Sequence, residues 1–166
     1  MHGGISFSTV PFTRLASRRR CRAWSSAARR RAFSSTPLPA SVAAVHNPIH
    51  KFFHILDGSV DERLSSIFLP DATLHVQKAS LVLSGEEIDT WCAKMRAAWG
   101  GAATLHTEGN IVLTAPEPGL VVNHSTWTAL KDGQLVSYGT HADILEEAAP
   151  GEWLFRRRVV RHLYAK

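Results

Sequence analysis

The chain has 166 residues, 45% of them apolar and 20% charged, which suits one globular domain with an appendage and is too short for two ordinary domains. Its formal charge of +5 is uneven, because residues 1–36 hold eight arginines and no acid. From Pro37 onward, 11 basic and 14 acidic residues leave −3, so a nucleic-acid-binding surface is not expected. No apolar run reaches the length of a membrane span, and the two cysteines, Cys21 and Cys92, are too few for a thiolate metal cluster.

The first 36 residues have the composition of a mitochondrial transit peptide. They are rich in arginine and serine, contain no acid, and interleave large apolar residues with the arginines. We therefore predict a matrix-directed transit peptide over residues 1–36, a Pro/Ala/Ser linker over 37–45, and one domain over 46–166. The alternative is a disordered basic tail, or an upstream start codon on a cytosolic protein.

Three helices are predicted in the first half of the domain. The first ends at Asp57, and the second begins at Ser59, where Ser59-x-x-Glu62 has the form of a capping box. The same signature at Ser84 opens the third helix. The apolar residues at helical spacing are, in chain order, Ile49, Phe52, Phe53 and Leu56, then Val60, Leu64, Ile67 and Phe68, then Ile88, Trp91, Cys92, Met95 and Trp99.

A sheet is predicted in the second half. Long segments that alternate with period two are separated by short turns containing Pro, Asp and Gly, which indicates an antiparallel meander. We expect an α+β fold, cone-shaped, in which a strongly curved antiparallel sheet wraps about three N-terminal helices and leaves a pocket. The predicted strands are two short ones, 72–77 and 80–83, and four long ones, 103–114, 120–131, 134–146 and 152–164.

Several segments carry a family resemblance. The sequence FLPDAT at 68–73 leads into the first strand, GEEI at 85–88 opens the third helix, and GEWLF at 151–155 lies in the last strand. Together they resemble the SnoaL-like group of the nuclear-transport-factor-two-like superfamily, over roughly residues 46–164. The resemblance implies the cone-shaped fold. It leaves function open, because that superfamily includes cofactor-free cyclases, isomerases and dehydratases as well as dioxygenase subunits without catalysis.

Cofactor-free lyases and isomerases need a base beside an acidic C–H bond and donors for the oxygen that becomes negative. His106 is the best base, because its strand should face the helices and its position resembles that of a catalytic histidine in scytalone dehydratase. His54 lies near the place where that dehydratase has an acid, so we predict it as the pocket neighbour of His106. Leu130 and Lys78 fall near the dehydratase's second histidine and its tyrosine, so that constellation is incomplete. The alternative for His106 is a buried or rim histidine satisfied by a neighbour.

The strand 134–146 supplies the predicted oxygen-holding donors. Val136, Tyr138, Ala142 and Ile144 share the more apolar parity, so Tyr138 and Thr140 should point into the cavity. His141 and Asp143 should then point outward, to solvent or a subunit interface. The pair could also be a base with its orienting acid, or two metal ligands, but no third ligand follows at a recognisable spacing. His124, on the preceding strand, faces either the pocket or a partner.

Trp91 and Trp99 are predicted to form pocket walls that suit a small apolar or aromatic ligand, although both could simply belong to the core. No metal or cofactor is expected. We predict a cofactor-independent lyase or isomerase that acts on a small apolar carbonyl compound by proton abstraction. The alternative is a non-catalytic small-molecule-binding or subunit module of a mitochondrial complex. A homodimer through the outer sheet face is also expected, with Trp127 or His141 packing there.

The transit-peptide prediction is tested by fusing residues 1–40 to a fluorescent reporter. The arginine-rich, acid-free composition should direct the reporter to mitochondria. A fusion in which the eight arginines are replaced by glutamine serves as the control and should remain in the cytosol. Diffuse cytosolic signal from the unaltered leader would contradict the prediction.

Overall fold

The apolar periodicities of the sequence correspond to two α-helices and six strands. The structure is a computed structural model that describes residues 41–99 and 104–166. The predicted transit peptide lies outside the described residues. In chain order the elements are α1 (Val42–Leu56), β1 (Phe68–Val76), β2 (Leu81–Leu83), α2 (Glu86–Ala98), β3 (Thr104–Glu117), β4 (Leu120–Lys131), β5 (Gln134–Ala149) and β6 (Glu152–Ala165).

Helix α1 begins earlier than predicted, inside the segment 37–45 that we assign to the linker. Ser41 caps it by accepting a hydrogen bond from the Ala44 amide at 3.3 Å. Val45 is fully buried one turn before the buried Ile49, so the apolar stripe continues toward the N-terminus. Residues 42–45 therefore belong to the domain.

The predicted second helix is wrong. Only a single 3₁₀ turn forms, at Leu64–Ile67, and Phe68 already belongs to β1. Ser59 does not cap a helix, because its hydroxyl donates to the His54 carbonyl at 3.0 Å and so closes the end of α1. At the second signature only half of the capping box forms: Glu87 accepts from the Ser84 amide at 3.1 Å, but Gly85 is the N-cap of α2 and no side chain caps the helix.

The curved, unclosed sheet has the strand order β2-β1-β6-β5-β4-β3. The four long strands form the predicted antiparallel meander, with bounds close to those expected. Strand β1 pairs in parallel with β6, although β2, α2 and the strands β3 to β5 lie between them in the chain. Helix α1 packs against β6 and β3 and covers the inner face of the sheet.

The predicted facing of β5 is reversed. Leu130 pairs with Leu135 and Ala129 with Ser137, which leaves Val136 as an extra residue in a bulge. A one-residue slip exchanges the two faces of a strand, so His141 and Asp143 lie on the inner, buried face. The outer face holds Tyr138 and Thr140 instead.

The predicted packing of Trp127 and His141 in an outer-face dimer interface is likewise wrong, because both are buried on the inner side, at 4% and 2% exposure.

Next to them, Gly139 allows a close approach of strands. A Cβ added there would lie 1.9 Å from the Arg161 carbonyl oxygen and 2.9 Å from Trp127 Cζ2. Among the described residues, no helix is long and apolar enough to cross a membrane.

Candidate active site

His106 lies near the start of β3 and is held by the acid that follows α1. The His106 amide donates to Asp57 Oδ2 at 2.8 Å, and the His106 ring nitrogen Nδ1 lies 2.5 Å from Asp57 Oδ1. The two side chains are only 3% and 10% exposed. One carboxylate therefore fixes both the backbone and the ring of His106.

This pairing selects the protonation of the ring. A carboxylate accepts hydrogen bonds, so Nδ1 carries the proton and Nε2 keeps a lone pair for a ligand. Phe53 stacks on the ring at a centroid distance of 4.7 Å and an interplanar angle of 4°, and Trp99 stacks at 4.7 Å and 23°. The aromatic neighbours and Asp57 together keep the ring from turning.

His106 lines a cavity of about 450 Å³ between the helices and the inner face of the sheet. Trp91 and Trp99 line it as predicted. The wall is largely apolar and aromatic, and includes Phe52, Phe53, Trp91, Met95, Trp99 and Trp127. A space of this size and lining suits a small, flat, largely apolar molecule.

His54 does not line this cavity, although it borders a second cleft of about 410 Å³ together with Asp57 and His106. It is exposed on the outer side of α1, where its Nδ1 lies 3.3 Å from the Ser59 hydroxyl. Its neighbours in sequence, Phe53 and Ile55, are buried, and successive helical residues point in different directions. The acid that pairs with His106 is Asp57, just past the helix end.

Three other predicted site residues lie outside the cavity. Tyr138 is 39% exposed and stacks on Tyr164 with centroids 5.6 Å apart. Thr140 and His124 line a shallow groove on the outer face. The structure therefore brings His106, Trp91 and Trp99 together and leaves Tyr138, Thr140, His124 and His54 outside.

A buried ionic cluster on the inner sheet face escaped sequence reasoning. Arg158 Nη2 donates to both oxygens of Glu108, at 3.0 and 3.1 Å, and the Ser125 hydroxyl donates to Glu108 at 2.5 Å. His141 Nδ1 lies 2.8 Å from Glu108 Oε1 and also meets Arg158 Nη2. The Arg158 guanidinium lies 4.2 Å from the centre of the Phe52 ring. These groups sit on four adjacent strands, so no short sequence motif reveals them.

Burial and mutual charge shift the pKa values of this cluster. Burial favours a raised pKa for Glu108, but the Arg158 charge and the hydrogen bonds from His141 and Ser125 outweigh it and lower that pKa to about 2. For His141, burial and then the Arg158 charge lower the pKa to about 3. His141 is therefore a neutral wall of the cavity, and the ionised Glu108 balances Arg158.

Asp143 belongs to the same cluster. Burial raises its pKa to about 7, against the opposing effects of Arg158 and Asn123. The Asn123 amide donates to Asp143 at 2.8 Å, whereas the Arg158 Nη1 to Asp143 Oδ2 distance is 3.7 Å. Within the described ranges, no three His, Cys, Asp or Glu side chains are grouped to hold a metal ion.

The family model of the SnoaL-like domain matches residues 40–159. This range is about three quarters of the chain and includes most of the described fold. The chain belongs to the SnoaL-like domain family. Among curated proteins, none matches the sequence at a significant level.

Solved structures share the fold at low sequence identity. A hexachlorocyclohexane dehydrochlorinase, LinA-type3 from Novosphingobium barchaimii, is 19% identical with a TM-score of 0.64, covering 75% of this chain and 87% of that one. A putative scytalone dehydratase from Novosphingobium aromaticivorans is 18% identical with a TM-score of 0.59, over 75% and 85%. The beta subunit of a putative aromatic-ring-hydroxylating dioxygenase from the same species is 15% identical with a TM-score of 0.61, over 75% and 90%. At these identities the likeness establishes the fold alone.

The ionic cluster is tested by comparing two neighbouring arginines. Arg158→Met leaves Glu108 buried without its cation, so we expect a loss of about 3–5 kcal/mol in the free energy of unfolding. Arg157→Met removes an exposed charge and should cost less than about 1 kcal/mol. Urea unfolding followed by tryptophan fluorescence measures both. Equal losses would contradict the assignment of Arg158 as the buried counter-ion.

Proposed function

We propose that the protein is a cofactor-independent lyase or isomerase that removes a proton from a carbon beside a carbonyl group in a small, largely apolar compound. The observation that carries this proposal is the His106–Asp57 pair, whose free ring nitrogen is available to an apolar cavity. A histidine with an ordered tautomer is suited to general-base catalysis near neutral pH.

In the proposed reaction, His106 Nε2 takes the proton from the substrate carbon. The electron pair of the C–H bond moves to the carbonyl, whose oxygen becomes negative, and Asp57 stabilises the imidazolium that forms. The enolate then either expels a leaving group from the next carbon, as in a lyase, or takes the proton back at another carbon, as in an isomerase. In both outcomes the proton on His106 is finally released or returned.

The developing oxygen charge needs a donor, and Tyr138 and Thr140 cannot supply it from the outer face. Trp127 lines the cavity, and its indole N–H is buried without a hydrogen-bond partner among the described residues. An indole N–H can only donate, and a buried donor without an acceptor costs about 1–3 kcal/mol. We therefore assign Trp127 as the donor to the substrate oxygen.

The comparisons lend support in one respect. Two of the similar structures bear the names of a dehydrochlorinase and a putative dehydratase, and both names denote elimination reactions. Elimination beside an acidic C–H bond needs only a base and a stabilised negative charge, which matches the chemistry of His106 and Trp127.

The second candidate is a non-catalytic ligand-binding or subunit module of a mitochondrial complex. It is favoured by the likeness to the dioxygenase beta subunit, and a filled or inert pocket would suit it. The cavity volume and the ordered His106–Asp57 pair favour the enzyme. The matrix location and a homodimer through the outer sheet face stay predictions.

The proposed base is tested by proton–deuterium exchange in D₂O. The full chain is incubated with 1-indanone, 2-tetralone and 2-acetylnaphthalene, and NMR follows exchange at the carbon beside each carbonyl. We expect at least one ketone to exchange faster with the protein than in buffer alone. His106→Ala should reduce this protein-catalysed rate about 10²- to 10⁴-fold.

Two further variants sharpen this test. Asp57→Asn should also slow exchange, because its one carbonyl oxygen cannot accept from both the His106 amide and Nδ1–H, and a neutral amide does not offset the charge of the imidazolium. His54→Gln, on the outer side of α1, should leave the rate unchanged. Equal rates for the unaltered chain and His106→Ala would contradict the proposal.

A further inference from the structure

The charged side chains that line the cavity are all basic. Among the described residues they are Lys78 and Lys166, and no aspartate or glutamate lines it. Neither lysine forms an ion pair with a described residue. The residues outside the described ranges, 1–40 and 100–103, contain no acid that could neutralise them. The two lysines therefore have no acidic side chain as a partner among the described residues of the cavity wall.

Lys78 combines exposure with a place in the cavity wall. It lies in the 3₁₀ turn Gln77–Ala79 between β1 and β2, and the turn ends at Ser80 in the left-handed conformation, φ 53°. A lysine can lay its apolar stem along a wall while its ammonium group stays near water. Lys78 therefore places a cation at a solvent-exposed part of the cavity wall.

His162 is the second polar group on this part of the wall. It contacts Trp127 edge-to-face, with centroids 4.9 Å apart, and its Nδ1 is buried without a hydrogen-bond partner among the described residues. Burial, and next the positive charge of Lys78, lower the pKa of His162. Lys78 and His162 both line the cavity, so one ligand group can face both side chains, and His162 would meet it as a neutral ring.

The Lys78 ammonium beside the neutral imidazole of His162 suits a single negative charge. A carboxylate can accept hydrogen bonds from an ammonium group and an imidazole N–H at once. A phosphate group carries more charge and is usually held by several cations or by backbone amides at a helix N-terminus. The apolar wall around Trp91 and Trp99 favours a ligand whose remaining part is an apolar ring.

We propose that the cavity binds an aromatic or alicyclic carboxylate, with its carboxylate at Lys78 and His162 and its apolar body against the tryptophans. This inference rests on the proposed function in one respect only: the ligand of this cavity is the substrate. Anchoring one end of the substrate limits the positions that its acidic C–H bond can take relative to His106, which favours proton transfer.

The test uses two probes of nearly the same shape, 2-naphthoate and its neutral analogue 2-naphthamide. Their binding to the full chain is measured by tryptophan fluorescence at pH 7.5 and low salt. We expect 2-naphthoate to bind about tenfold more tightly, as one charge-assisted hydrogen bond would give. Lys78→Met should reduce this preference to about twofold or less, while 2-naphthamide binds as before.

Lys94→Met is the matched control, because Lys94 is exposed on α2 and does not line the cavity. It removes the same charge from the chain and should keep the preference. Equal binding of the two probes, no saturable binding of either, or an equal loss in Lys94→Met would overturn the proposal.

His106→Ala separates this inference from the proposed catalysis. The variant should keep the preference for 2-naphthoate although it loses deuterium exchange. If the preference is found but no ketone exchanges, the base assignment fails and the carboxylate site stands. If exchange is found without the preference, the carboxylate site fails and the base stands.

Discussion

The contact between Asp57 and His106 joins two parts of the chain that are 49 residues apart. It ties the C-terminal end of α1 to the beginning of the antiparallel meander, and the carboxylate binds the strand through both a backbone amide and a ring nitrogen. The cavity lies between these two elements, so the contact that orders the base also sets the width of the space in front of it. A side chain that made only one of the two bonds would leave either the strand or the ring free to shift.

Beneath this pair, the inner face of the sheet is unusually polar for a core. Arg158 is fully buried, yet it contacts the Phe52 ring and is neutralised by Glu108. A buried ion pair contributes little net stability compared with apolar residues, but it is costly to break once formed. We interpret the cluster as a device that fixes the positions of β3, β5 and β6 relative to α1. Within it Glu108 balances Arg158 and His141 is neutral, so the positive charge of the cavity wall comes from Lys78 and Lys166.

Much of the fold follows from local patterns. Period-two alternation and turn residues predict the four long strands, and the capping box at Ser84 predicts α2. His106, Trp91 and Trp99 are found in the cavity as expected, because each lies on an element whose apolar face is evident in the sequence. The capping box at Ser59 fails because a competing local contact uses the same hydroxyl group, which donates to the His54 carbonyl and closes α1.

The misplaced site residues of β5 have one physical origin. The face to which a strand residue points is predicted from the alternation of apolar and polar residues. The bulge at Val136 shifts that alternation by one residue. Tyr138 and Thr140 therefore exchange sides with His141 and Asp143. The predicted partner of His106 was His54, whereas the actual partner is Asp57, three residues further along the chain. Asp57 lies on the side of α1 that faces the sheet. Buried polar residues whose partners come from other strands cannot be recognised from the parity of one strand.

The ordered tautomer of His106 is the most direct consequence of this account. Nitrogen-15 NMR of the imidazole rings in the full chain distinguishes a ring protonated at Nδ1 from one protonated at Nε2, with assignment by comparison with His106→Ala. We predict that His106 is protonated at Nδ1 near neutral pH, that this proton is lost or moves in Asp57→Asn, and that the Nε2 resonance shifts when a ketone binds. A ring protonated at Nε2, or a spectrum unchanged by Asp57→Asn, would contradict the assignment of His106 as the base.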